Sequence, residues 1–586
     1  MKNKILSGIS LSIFIPFLMP LHAAPVHLVD EKPVASKELE DDTLWIDFGK
    51  VSFGNLRVNF PKGAETKMRF HYGEKSADGR IDRKPPGTVR YASAEITPKP
   101  GETMVVAPPA DPRNIKQPNA ILTPAQWGVV LPFRWVEIEG WPRGASIDGI
   151  IRQSAFSATW DDHAAAFDSS DETLNRIWEL CKYSIKATTF AGVYVDGDRE
   201  RIPYEADAYL NQLGHYYTDP DVLMARDTYD RLMAHPTWPT EWAPHMVFMA
   251  YADWMQTGDA EWLRPRYEAL KSKLLIERAG EDGLIRSNKA QQGHTDIVDW
   301  PKGERDGYQF REINTVVNAF HLAALSRMAE LARAVGNDSD ASAYQKRFKR
   351  TLAVFNQQLL IADKGAYRDG VGTDHTSSHA SFFPLAFGLT PEPNRDAVAE
   401  FVVSKGMKCS VYAAQYLLES LFHTGRNKEA LALILAEGDR SWKHMVNSGT
   451  TISWEAWDQK YKPNQDWNHA WGAAPANLLP RFILGAESLT PGWKTIRIAP
   501  QTGVLTYARG KVPTPLGSIK IDWKRDTAFH LEVELPKGME AKIEVPSTKP
   551  DEKVWIDEKP VSATRKGSRL VLEQPVKGSV RLTVKP

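Results

Sequence analysis

The sequence predicts a multidomain α+β chain in which a long helical body stands between an N-terminal and a C-terminal β-sandwich. Three observations carry this. Apolar residues alternate with a period of two from about Leu44 to Gln153, the period changes to 3.6 near Ala164 and holds to about Leu484, and short alternating runs return after Pro491. At 586 residues the chain is also too long for one core.

Taken in order, residues 1–23 read as a secretory signal. Lys2 and Lys4 precede the apolar run Ile5 to Leu21, and Leu21-His22-Ala23 offers a small-residue cleavage site. Export to the periplasm is the expectation. No membrane anchor is expected, because no cysteine follows the run and no later segment is long and apolar enough to span a bilayer. The balance of 73 basic against 73 acidic residues gives no electrostatic reason to expect nucleic acid as a partner.

Residues 24–158 form the first sandwich, with strands at 44–48, 56–60, 67–72 and 133–138 between glycines and prolines. The polar stretch Asp78 to Gly87 and the proline-rich stretch Pro98 to Pro118 read as long surface connections. Residues 159–488 form the helical body, opened by the stripe Leu174, Ile177, Trp178 and Cys181. Near Gly258, Gly336 and Gly425 a helical pattern stops, a polar turn follows and a new one starts, which marks αα-hairpin corners. Stacked hairpins close into a ring or run on as an open solenoid, and three corners do not choose. Residues 489–586 form the second sandwich, with runs at 496–498, 518–523, 530–535 and 569–572. The two cysteines, Cys181 and Cys409, read as buried free thiols, with a disulfide as the alternative.

Two acidic centres could carry chemistry. In Val195 to Asp207, five carboxylates (Asp196, Asp198, Glu200, Glu205, Asp207) share thirteen positions with Arg199, Arg201, Gly197 and Pro203. Pro203 is placed to open a helix whose inward stripe is Tyr204, Ala208, Leu213 and Tyr216. The preceding loop would then deliver carboxylates to a helix mouth. The same residues also suit an ordinary helix start, with Glu205 and Asp207 on the positive end of its dipole and both arginines neutralising Glu200. The second centre is Thr450 to Asp458, where Glu455 lies between Trp454 and Trp457, with Asn468-His469 shortly after. A charged carboxylate between indoles needs a partner such as Lys460, or a task. Twelve of the nineteen tryptophans lie between Trp160 and Trp471, a composition that suits either a sugar pocket or a large helical core.

These motifs resemble the α-L-rhamnosidases of glycoside hydrolase family 78. That family has a loop of the form Asp-x-x-x-Arg-Glu/Asp-x-x-Gly/Pro-Trp/Tyr leading into a helix, and later Thr-x-x-Trp-Glu-x-Trp followed by Asn-His. The resemblance runs from Asp47-Phe48-Gly49-Lys50 to Pro491-Gly492-Trp493. It implies a central (α/α)6 barrel and inverting removal of terminal α-L-rhamnose from a plant or algal glycan, without a cofactor. It implies Glu200 as general acid and Glu455 as general base. Asp196, Arg199, Asp207, Trp454, Trp457 and His469 would contact sugar, and Glu241, Trp242, Asp299 and Trp300 would line the pocket. The loop is one residue shorter than the family pattern when aligned from Asp196, so Asp196 and Asp198 compete for one role. No metal site is expected, since His215, His235, His245 and His294 lack ligand spacing; His245, near Trp242, is a further candidate sugar contact. The other functional classes open to the chain are a carbohydrate-binding protein without catalysis and a polysaccharide lyase built on a helical toroid.

Overall fold

The computed structural model describes residues 24–586 apart from Glu65 and Gln117, so the expected signal segment lies outside the described residues. The N-terminal region is an eight-stranded antiparallel arrangement. The runs at 44–48 and 56–60 are the two ends of a single strand, Thr43–Asn59. Gly49 takes a positive φ of 82° there, and the register against Leu131–Glu139 slips between Asp47 and Ser52. Such a bulge bends a strand without ending it. The first half pairs with Ala35–Glu38 and the second with Ile150–Ser157 and Thr103–Val106, so one strand changes partners along its length. Ile46, Phe48, Leu56, Val58, Phe70 and Phe133 belong to its buried core.

The helical body begins at Glu172–Ala187, later than the change of period near Ala164. Residues Ala166–Ser169 are a strand that pairs with Tyr507–Val512 in the C-terminal region. At the three corners, helices end at Thr257, Ala334 and His423 and restart at Ala260, Asp338 and Asn427. Gly258, Gly336 and Gly425 take φ of 71°, 83° and 74° in these turns, values open to a residue without Cβ. The first helix packs against Pro475–Leu478 near the end of the region, as does the Glu205–Thr218 helix. That contact closes the ring and removes the solenoid alternative. Cys181 and Cys409 are buried and free. No helix among the described residues is long and apolar enough to cross a membrane.

The C-terminal region stacks a seven-stranded sheet, which includes Ala166–Ser169, on a five-stranded one that starts at Ala486–Ser488. The two stretches read as surface connections are docked instead. Thr88 N donates to Gln465 O at 3.3 Å, and a Cβ at Gly87 would come within 2.8 Å of Pro463 O. From the proline-rich stretch, Asn114 Nδ2 donates to Asp198 O at 2.8 Å. The N-terminal region thus grips both acidic centres from outside the ring.

Candidate active site

The Asp196 loop is held at both ends. Asp196 N donates to Ile202 O at 3.0 Å and Ile202 N returns to Asp196 Oδ1 at 3.0 Å. The helix starts two residues later than Pro203 at the first position would give. The first helical residue is Glu205, Tyr204 is the extended cap residue, and Pro203 lies outside. Tyr204 is thereby freed from the inward stripe, and its hydroxyl donates to Glu200 Oε2 at 2.8 Å.

The two aspartates of the loop separate by environment. Asp198 is buried and bound by Arg90, by Arg201 at 2.7 Å and by Asn114 at 3.2 Å. Despite burial, the Arg90 and Arg201 charges hold its carboxyl below the ordinary range. It is a structural anchor, and Arg201 serves it rather than Glu200. Asp196 is equally buried and borders the cavity; its Oδ2 accepts no hydrogen bond and lies 3.9 Å from Arg199 Nη2. Burial, reinforced by the charge of Glu200, pushes its carboxyl well above the ordinary range, against the pull of Arg199.

Glu455 arrives from the far end of the helical body. Arg199 grips it with both terminal nitrogens, at 2.9 and 3.1 Å, Lys462 Nζ lies 2.9 Å from Oε1, and the amide of Asp466 donates to Oε2 at 3.0 Å. Lys460, the partner anticipated in the sequence, pairs with Asp439 instead. Burial works against ionisation, but the charges of His469, Arg199 and Lys462 prevail and bring the Glu455 carboxyl down to about 2. The same Arg199 places its Nε 3.4 Å from Glu200 Oε1. One guanidinium therefore stands between the two carboxylates.

Both open onto a cavity of about 400 Å3. Asp196, Arg199, Glu200, Asp207, Trp242, Trp300, Glu455 and His469 all reach its wall. His469 Nε2 and Asp207 Oδ1 are 2.6 Å apart, joining the helix mouth to the second acidic centre. Burial raises the Asp207 carboxyl while His469 opposes.

Two expected sugar contacts, Trp454 and Trp457, and two expected pocket-lining residues, Glu241 and Asp299, are not on the wall. Trp457 is fully buried, donates to Cys409 O at 2.7 Å and meets Trp442 edge to face. Trp454 stacks on Trp467 with centroids 4.8 Å apart. A residue next to Glu455 in sequence points elsewhere because the segment is extended and irregular. Glu241 accepts the amides of Ile297 and Val298 at 3.0 and 2.9 Å, and burial lifts its carboxyl to about 7. Asp299 accepts from His379 at 2.7 Å and from the Ser410 amide at 2.9 Å. These two acids brace the segments that carry Trp242 and Trp300. His245 is also no sugar contact, being buried between Tyr416 and the carbonyl of Glu241.

Sequence reasoning missed Tyr204 as a cavity residue, and Trp238, Tyr461, Lys462, Asn464 and Trp471 altogether. The stretch Tyr461-Lys462-Pro463-Asn464 just after the second acidic centre was the available signal. Glu455, Asp466 and His469 present ligand atoms within 4.8 Å of one another, a spacing open to a metal ion. Both Glu455 oxygens are already taken by Arg199, Lys462 and an amide, so the positive charge a metal would supply is present as side chains.

Residues 162–483, more than half of the chain, match the family model for the bacterial alpha-L-rhamnosidase 6-hairpin glycosidase domain, and residues 485–557 match its C-terminal domain. An alpha-L-rhamnosidase of Alteromonas sp. (strain LOR) is 23% identical over 577 residues, covering 90% of this chain and 59% of that protein. The solved alpha-L-rhamnosidase of Dictyoglomus thermophilum superposes with a TM-score of 0.79 at 18% identity, covering 96% of this chain and 64% of its own. That of Streptomyces avermitilis, complexed with L-rhamnose, gives 0.77 at 19%, covering 96% and 54%. The chain thus spans less than two thirds of these relatives, and the structural likeness establishes the fold.

Proposed function

Because the chain belongs to the bacterial α-L-rhamnosidase six-hairpin glycosidase family, we propose that it is an exo-acting glycoside hydrolase that removes terminal α-L-rhamnose from a plant or algal glycan. The observation that carries this is Arg199, which touches Glu200 and Glu455, two carboxylates distant in sequence, at the floor of one sugar-sized cavity. An inverting glycosidase keeps its two carboxyls about 6.5–9.5 Å apart so that a water fits beside the anomeric carbon, and a guanidinium between them supports such spacing.

Glu200 is the proton donor in this reading: its side chain is 30% exposed to the cavity and is oriented by Tyr204 and Arg199. Glu455, whose carboxylate form is favoured by His469, Arg199 and Lys462 against burial, takes the proton of the attacking water. Asp196 offers Oδ2, which accepts no hydrogen bond within the protein, to a sugar hydroxyl, and Trp242 and Trp300 supply flat apolar faces. The Oδ2 of Asp196, which accepts no hydrogen bond within the protein, and its raised carboxyl favour a second reading in which Asp196 stores the proton that Glu200 delivers.

The test is release of L-rhamnose from aryl α-L-rhamnosides and oligosaccharides, with the first-formed anomer read by proton NMR. Retention of configuration, or unchanged turnover in Glu200→Gln, would falsify the assignment. An unsaturated product absorbing in the ultraviolet would indicate the lyase class instead. The leader Lys2 to Ala23 supports a periplasmic location. Recovery of the chain from the periplasmic fraction with an N-terminus near Ala24 is the expected result.

A further inference from the structure

A second hollow, of about 260 Å3, lies between helices of the ring and residues 487–493, and is lined in part by later turns of the Glu205–Thr218 helix whose start borders the acidic cavity. Tyr209 and Tyr216 come from the Glu205–Thr218 helix, Tyr251 and Gln256 from His245–Thr257, and Arg327 from Thr315–Ala334. An aromatic plug separates the two spaces. Tyr412 stacks on Trp471, which lines the acidic cavity, and packs 5.9 Å from Tyr416, which lines the hollow.

The polar groups of this hollow are unevenly satisfied. Its carboxylates are spent: Glu419 pairs with Arg481, and Glu487 pairs with Arg481 and Arg497. Its donors are not. Arg327 forms no ion pair among the described residues. Its one hydrogen bond goes to the Ala323 carbonyl of its own helix at 3.3 Å, while its guanidinium stands 4.3 Å from the ring centre of Phe248. Gln256 is 3% exposed, and its Oε1 accepts from Trp493 at 2.8 Å, which leaves Nε2 buried with no partner. An unsatisfied buried donor costs about 1–3 kcal/mol, which a ligand acceptor would recover.

An unpaired cation, a spare amide donor and tyrosine faces describe a ligand with a negative charge, hydroxyl acceptors and one flat apolar side. The volume lies just under the ~300–1,000 Å3 of larger ligand sites, which sets its size at a single ring. We propose that this hollow binds one uronate, a six-membered sugar ring carrying a carboxylate, with the carboxylate on Arg327 and a hydroxyl on Gln256. The proposal does not rest on rhamnose hydrolysis in the acidic cavity.

Isothermal titration of the full chain with D-glucuronate and D-galacturonate tests it, with acetate and D-glucuronamide as controls. At least one uronate should saturate, and neither control should. Arg327→Met, which keeps an apolar stem against Phe248, should weaken uronate binding by about tenfold to a hundredfold, the usual worth of a hydrogen bond to a charged group. Gln256→Leu should weaken it by a smaller factor and serves as the test if the Arg327 variant fails to fold. Glu200→Gln should leave uronate affinity unchanged even where it abolishes hydrolysis, so loss of the one reading is distinguishable from loss of the other. Absence of saturation, equal binding of acetate, or uronate binding indifferent to both Arg327 and Gln256 would overturn the proposal.

Discussion

Replacing Lys462 by methionine probes how the proposed base is held ionised. The Glu455 carboxyl is brought from 4.5 to about 2. That difference corresponds to roughly 3 kcal/mol in favour of the carboxylate at about 1.4 kcal/mol per unit. Lys462 Nζ, 2.9 Å from Oε1, is one of three positive neighbours, so its removal should raise the Glu455 value by on the order of one unit. The sign for stability follows. A carboxyl depressed in the folded state stabilises the fold above its ordinary value near 4.5, and that contribution fades as pH falls toward about 2. Lys462→Met should therefore be less stable than wild type at pH 7, with a gap that narrows below about pH 4.5. The assay is kcat/KM on an aryl α-L-rhamnoside from pH 3 to 7, since this ratio reports free-enzyme ionisations. The acid limb should move up by about one unit relative to wild type. Superimposable acid limbs, or a wild-type limb already centred at the ordinary carboxylate value, would refute the electrostatic account of Glu455.

Glu200→Gln should slow cleavage of poor leaving groups by about a hundredfold to ten-thousandfold and spare activated aryl rhamnosides by comparison, checked by a series of leaving-group acidities. Asp196→Asn should depress all leaving groups alike if it only contacts sugar, and reproduce the leaving-group slope of Glu200→Gln if it stores the proton. Trp457→Ala should cost about 3–5 kcal/mol of stability through the cavity it leaves, as read by thermal unfolding. Trp300→Ala should instead raise KM with little change in melting temperature. Glu74 is pushed up to about 8 by burial and accepts from the Arg90 amide and from Asn468 at 2.7 Å. The folded state then holds a proton that the unfolded state releases, so wild-type stability relative to Glu74→Gln should fall as pH rises from about 4.5 through about 8. A flat difference between the two melting profiles would remove that assignment.

The order of sandwich, helices and sandwich was legible in the sequence because periodicity is local: a strand alternates and a helix repeats whatever it packs on. The hairpin corners were legible for the same reason, since a glycine with positive φ caps a helix through its own backbone. Glu200 and Glu455 stood out because clustered carboxylates and a carboxylate between indoles are costly without partners.

Local pattern could not say which neighbours of those acids turn toward the cavity. In an irregular segment no period fixes side-chain direction, so Trp454 and Trp457 went into the core while Tyr461 and Lys462 came to the wall. Asp196 and Asp198 are two residues apart and read alike, yet Arg90 and Asn114, about a hundred residues earlier, anchor one and leave the other with an oxygen that accepts no hydrogen bond. Composition and spacing determined which residues could carry charge. The ring and the docked N-terminal loops decided which charges meet, because Coulomb and hydrogen-bond energies depend on distances that only chain closure sets.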